Sequence, residues 1–334
     1  MNKIITLILL AFLTTSCWED YKYPKGELPE SPVNLESFNT EYDDYNSTAP
    51  SLGTLIPFCF SSNRSTEGGN FDIVYEPMNI NWNKNTGILT VGNTYDNYSS
   101  YIDEYQTYED VLDSINTSGN ELGPYFIVDQ ARYSSEYNYL FMFATDSTGN
   151  YQINFTYKNA PEGFSSREEI SFLNSEYNDL YPSFDMNYSN IYFCSDRDGD
   201  TYNIYSASLN RSVEFIVTEL SDNSSREIEM QSTLSSGYND KCPYIYLNVM
   251  VFASDRPGGE GGYDLYYSIY DEGTWSEPVN FGPGINSSYD EYRPIILNDM
   301  VDYERDMMIF SSNRPSGKGG FDLYYAGIES MGKY

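Results

Sequence analysis

Two kinds of charged residue recur along this 334-residue chain: an arginine at 64, 197, 256 and 314, and an aspartate at 72, 264 and 322 on the segment that follows. Together Arg64, Asp72, Arg197, Arg256, Asp264, Arg314 and Asp322 could line a binding surface. Repetition argues for bracing instead, since a ligand site is normally unique while a brace recurs. The planar fork of arginine suits a pair with the aspartate, or with backbone carbonyls, across each turn. A separate cluster, Asp196-Arg197-Asp198-Gly199-Asp200, sets alternate carboxylates around a glycine as a calcium loop does. It lacks the downstream bidentate glutamate, so a turn accounts for Asp196, Asp198 and Asp200 without a metal.

The chain contains no histidine. That removes the usual general base of serine and cysteine hydrolases, the commonest zinc ligand and the usual proton shuttle. Cys59, Cys194 and Cys242 form no CxxC pair, which disfavours zinc, and no cofactor is expected. Carboxylate-only chemistry of the glycosidase kind remains open. It would need two or three carboxylates meeting at one place, contributed from positions where the repeats disagree. Asp185 is one such position, set against Leu247 and Asn298 in the guessed register. The balance of 18 Lys+Arg against 50 Asp+Glu, a net charge of −32, repels nucleic acid and anionic lipid.

The elements that would position these residues are repeats. Phe310 to Tyr325 reads Phe-Ser-Ser-Asn-Arg-Pro-Ser-Gly-Lys-Gly-Gly-Phe-Asp-Leu-Tyr-Tyr, and Phe252 to Tyr267 and Phe60 to Tyr75 copy it. Weaker copies lie at Phe193 to Tyr205 and Phe143 to Phe155. Each is preceded by a segment of the type Asn174-Ser175-Glu176-Tyr177-Asn178-Asp179-Leu180-Tyr181-Pro182, so prolines 50, 124, 182, 243 and 294 mark five units. A fixed repeat of this length builds one closed or stacked object. Each unit reads as a four-stranded blade. The proline opens the first strand, and the second ends in Phe plus a small residue (Ser61, Ala144, Cys194, Ala253, Ser311). A glycine-rich turn supplying positive φ leads to the third strand. A sixth blade would have to lie in the long first interval, where 87–91 is a spare strand and 107–115 a helical insertion. The last unit lacks its outer strand, and Pro32-Val33-Asn34-Leu35 copies the outer-strand run Pro278-Val279-Asn280-Phe281. The N-terminal run should therefore complete the last blade and close the ring, removing an open sheet edge. The expected fold is all-β: a β-propeller of four-stranded blades, five in number with six as the alternative.

This pattern, Phe-x-Ser-Asp/Asn-Arg…Gly-Gly-Phe/Tyr-Asp-Leu/Ile-Tyr, resembles the WD-like propeller repeats of TolB and of cell-envelope proteins that couple such repeats to a peptidoglycan-binding domain. The likeness covers residues 32 to 328. It implies a non-enzymatic recognition or scaffolding module with an envelope protein as partner. A glycan-binding or glycan-cleaving propeller is the alternative, with carboxylates at the central channel.

The N-terminus carries its own signal. Lys3, the apolar run Ile4 to Leu13 and Leu13-Thr14-Thr15-Ser16-Cys17 resemble a bacterial lipoprotein signal, in which the cysteine is lipidated. The expected organisation is a signal peptide at 1–16, a flexible tether at 17–31 and the propeller at 32–334. Lipid on Cys17 would be the only membrane contact and would place the protein at the outer membrane, facing the periplasm or the cell surface.

Overall fold

Within each repeat, an Asn or Ser stands five residues ahead of an acid: Asn39 and Asp44, Asn116 and Glu121, Asn174 and Asp179, Ser235 and Asp240, Asn286 and Glu291. This pair joins one blade to the one before it. The Asn286 side chain accepts the Leu265 backbone N–H at 2.8 Å and donates to the Leu265 carbonyl at 3.0 Å, so it behaves as an extra rung of the neighbouring sheet. Asn39 does the same to Leu323, Asn116 to Ile73 and Asn174 to Ile153. The acid's own backbone N–H then donates to the residue ahead of the neighbour's third strand, as Glu291 does to Tyr263 and Asp44 to Phe321.

The computed structural model describes residues 25–50, 55–93, 102–130, 137–158, 163–210, 216–298 and 303–332. Cys17 and the signal segment lie outside them. Five antiparallel sheets surround a central axis. Their inner strands are Asp44–Thr48, Glu121–Gln130, Asp179–Phe184, Asp240–Tyr246 and Glu291–Leu297. The second strands, Cys59–Ser62, Tyr137–Thr145, Asn190–Ser195, Val249–Ser254 and Asp306–Ser312, carry the Phe-plus-small pair. Phe60, Phe143, Phe193, Phe252 and Phe310 are all fully buried, as are Ser61, Ala144, Cys194, Ala253 and Ser311. The alternation sends ring and small residue to opposite faces, each covered by a neighbouring sheet. The third strands are Asp72–Tyr75, Gln152–Lys158, Asn203–Ser208, Asp264–Asp271 and Asp322–Ile328.

The fold is thus an all-β, five-bladed propeller, and its ring is closed by the N-terminal strand. Val33 pairs with Tyr325 and Asn34 with Tyr324, giving blade five the outer strand that its own sequence lacks. The chain just before that strand also packs: Leu28 is buried against Gly327, and Gly26 bridges to Tyr303. The long first interval holds no sixth blade. Strands Leu55–Ile56, Met78–Asn83 and Ile88–Gly92 form a small accessory sheet. The helix Ile102–Ile115 packs on the third strand of blade one, with Tyr108 stacked on Tyr75 at 4.4 Å between centroids.

One local expectation needs correcting. The prolines do not open the inner strands. They follow a kink inside them, at residue four, where the pairing register breaks and no ladder donor is needed. In blade one that place belongs to Ser47, two residues after Tyr45, and not to Pro50. The glycine-rich turns carry positive φ as expected, at Gly68, Gly149, Gly199 and Gly258, and other glycines in them serve close approach. A Cβ on Gly319 would fall on the Tyr42 carbonyl of blade one, and one on Gly261 on the carbonyls of Tyr289 and Ser287.

Candidate functional site

The repeated charges are fully engaged within the blades. Arg64, Arg197, Arg256 and Arg314 do not take the aspartate of the following strand. Each donates from Nη2 to the acid that opens its own inner strand: Asp44 at 2.7 Å, Asp179 at 2.5 Å, Asp240 at 2.6 Å and Glu291 at 2.8 Å. The same nitrogens reach the carbonyls of Phe38, Leu173, Leu234 and Ile285. The buried acids receive further donors, as Asp240 does from the Ser236 N–H and hydroxyl and from Ser254. Blade two has Ser147 at the arginine position, and Glu121 keeps the hydroxyl donor, Thr145 at 2.7 Å, that Ser62, Ser254 and Ser312 supply elsewhere. Asp264 and Asp322 instead accept N–H groups of their glycine-rich turns, from Glu260 and from Lys318, each at 2.6 Å. Asp72 sits at the matching position of blade one, and burial raises its pKa. These carboxylates hold the sheets together and are not aimed into a common space.

The candidate calcium residues also separate. Asp196 accepts the Asn178 N–H and side-chain amide, both at 2.8 Å, and Asp198 accepts the Tyr205 hydroxyl at 2.9 Å, while Asp200 is exposed. Asp185 lies outside the channel. It closes the turn after its inner strand, accepting the Ser189 N–H at 2.7 Å and the Asn190 amide at 2.9 Å. Counted from the opening acids, its equivalents are Tyr246 and Leu297, one residue short of the guessed register.

At the axis the structure shows what the repeats concealed. The third residue of every inner strand is left-handed: Asn46 (φ 58°), Gly123 (60°), Tyr181 (58°), Cys242 (58°) and Arg293 (45°). Only glycine adopts this without cost, and non-glycine residues here store about 1 kcal/mol or more each. The kink turns the Asn46, Tyr181, Cys242 and Arg293 side chains inward, and they plug the channel. Tyr181 lies across Gly123, where any Cβ would strike its ring, and the Asn46 amide meets the Tyr181 hydroxyl at 3.3 Å. The Arg293 guanidinium, fully buried, stacks on Tyr181 at 5.4 Å. It donates to the carbonyls of Pro243 at 3.2 Å and Pro124 at 3.1 Å, while its Nε has no partner among the described residues. Burial lowers its pKa.

Above this plug, where the inner and third strands begin, opens a cup of about 370 Å³. One aromatic precedes each third strand: Phe71, Tyr151, Tyr202, Tyr263 and Phe321. The last four line the cup, and Phe71 packs edge-on against Tyr45, which does also. The second residue of each inner strand forms the inner wall: Tyr45, Leu122, Leu180, Lys241 and Tyr292. Lys241 Nζ stands 3.9 Å from the centre of the Tyr202 ring and 5.8 Å from that of Tyr263. Asp290 is the carboxylate of the lining, and it accepts the Tyr263 N–H at 2.8 Å and the Asn313 amide at 3.0 Å. Burial, reinforced by neighbouring carboxylates, pushes the Tyr151, Tyr202 and Tyr263 phenols well above their ordinary range. They are therefore neutral hydrogen-bond donors at any physiological pH.

Stacking faces, neutral hydroxyls, one ammonium and one carboxylate around a blind-ended cup suit a polyhydroxylated ring. Sequence reasoning missed this cup because aromatics beside a strand are explained by strand propensity alone. The available signal was their position, one residue before the third strand in all five units.

No family model matches the sequence, and no curated protein matches it. Solved structures do. An alpha-L-arabinofuranosidase from Podospora anserina, PaAbf62A, determined in complex with cellotriose, is similar with a TM-score of 0.51 at 10% identity, over 92% of this chain and 97% of that one. A second structure, described as a glycoside hydrolase, gives 0.51 at 9% identity over 95% of both chains. At such identity the likeness establishes the fold, a propeller of the kind these hydrolases are built on. The expectation that this chain is not an enzyme is overturned to that extent, since both of these similar structures are of glycoside hydrolases.

Proposed function

We propose that this protein is a carbohydrate-active propeller that receives the end of a glycan in the cup above the Arg293 plug and acts on it there. The observation that carries the reading is the set of half-buried aromatics Tyr151, Tyr202, Tyr263 and Phe321, one from each of blades two to five, around a cavity large enough for a sugar ring. The likeness to glycoside hydrolase folds supports it. Asp290 is the one carboxylate of the lining and the acid or base of this proposal; its bond to the Tyr263 N–H recurs at Asp43, Asn120, Asn178 and Asn239, so Asp290→Asn keeps the brace and removes only the charge. The Tyr151 and Tyr202 phenols donate their protons to Asp146 and Asp196, which leaves the phenol oxygens as acceptors for the hydroxyls of a bound sugar. The lipid anchor at Cys17 and a position on the outer membrane belong to the same proposal, which would bring the cup to glycans in the envelope or outside the cell.

The test is a glycan panel assayed for both binding and release of reducing sugar. The expected result is turnover of one glycan class, reduced by about 10²-fold or more in Asp290→Asn with little change in affinity, the usual scale of an acid–base contribution. Neither binding nor release from any glycan would overturn the reading.

A further inference from the structure

We infer that the sugar received by the cup carries a carboxylate, a uronic acid, and that Lys241 is the residue that selects it; this rests on the glycan reading above. Lys241 stands where the other four blades place Tyr45, Leu122, Leu180 and Tyr292, so the repeat architecture does not call for a cation there. The ammonium lies against the Tyr202 and Tyr263 rings and has no carboxylate within ion-pair distance among the described residues. Arg64, Arg197, Arg256 and Arg314 each reach a carboxylate, and acids outnumber bases 50 to 18.

Below it, Arg293 is a second cation without a carboxylate among the described residues. It too stands at a position where the repeats disagree. A buried guanidinium without a carboxylate is costly, and this one lies behind Tyr181, outside the lining of the cup. Lys241 is therefore the cation of the cup wall, and Asp290, the one carboxylate of the lining, has its oxygens taken by the Tyr263 N–H and the Asn313 amide. The aromatic faces hold the ammonium by cation–π attraction yet leave its N–H donors unsatisfied by any anion. A carboxylate on the ring stacked against Tyr202 or Tyr263 would complete that ammonium, while a neutral sugar would leave it unpaired. The acidic exterior would disfavour polyanions at large and admit a single acidic residue at the chain end.

The experiment compares an oligosaccharide ending in a single galacturonic acid with its methyl ester and with the neutral oligosaccharide of equal length, by calorimetric titration against the whole protein at low and moderate salt. The acid is expected to bind about tenfold or more tighter than the ester, one charge-assisted contact, with the margin shrinking as salt rises. Lys241→Met should erase the margin and Lys241→Arg should keep part of it, both with unchanged thermal melting. Equal affinity for acid and ester overturns the uronate inference while the glycan reading stands. A preference that survives Lys241→Met removes Lys241 from the selecting role. Absence of binding to every sugar, neutral ones included, sinks both.

Discussion

Arg256 and Asp240 illustrate how a charged pair can look functional in a sequence and be structural in the fold. Asp240 is fully buried and its arginine is half-buried, so truncating the arginine leaves a carboxylate with no counterion in the sheet interior. Arg256→Ala is expected to cost about 3 kcal/mol in chemical denaturation, at the low end for a broken buried pair. A loss below about 1 kcal/mol would mean the pair is a surface one in effect. Gly123→Ala should cost about 2 kcal/mol or more, since it adds a left-handed alanine and drives a methyl into Tyr181. The arginines were legible as braces by their repetition, but their partners were not. The pairing acid lies 16 to 23 residues upstream, and a repeat cannot say which of two equally repeated acids is the nearer in space. The cup's selective residues were harder still. Lys241 and Arg293 each occur once, and they become visible only when the kink fixes which residue of each inner strand faces the axis.

At the scale of elements, the closing strand carries the most weight per residue. Two residues, Val33 and Asn34, complete blade five, and Leu35 continues the contact by donating its N–H to the Leu323 carbonyl at 2.9 Å. A chain beginning at residue 36 should therefore melt lower by several degrees and form oligomers on size-exclusion chromatography, because the edge of strand Asp322–Ile328 is left unpaired. A monomer melting with the longer chain would show that the ring closes without it. This clasp could be read from the phase of the repeat, since the last unit ends one strand short and the first begins one strand early. The accessory sheet and the helix Ile102–Ile115 were legible only as a spare strand and an insertion. Nothing repeated tells where an insertion docks.

For the whole molecule, the absence of histidine leaves carboxylates as the main groups that take up protons between about pH 8 and 4. Asp72, Asp306 and Asp322 have pKa values raised by burial. A folded value above the unfolded one, about 3.9, means that the native state holds the proton more tightly. The stability these groups contribute is fully present below the unfolded value and is lost as pH rises through the folded one. Relief of the −32 net charge acts in the same direction. The melting temperature should therefore rise as pH falls from neutral through the range in which these acids take up their protons, with a shallower slope in Asp306→Asn; a fall there would contradict the assignment. Stability and sugar recognition meet at the axis, where the same kink that plugs the channel makes the floor of the cup. The most direct measurement is glycan affinity in Tyr202→Ala and Tyr263→Ala beside the unaltered protein. The account predicts a loss of about tenfold or more in each, the scale of one stacked ring, with melting unchanged. A glycan bound equally well by both variants would place carbohydrate recognition elsewhere on the molecule and contradict it.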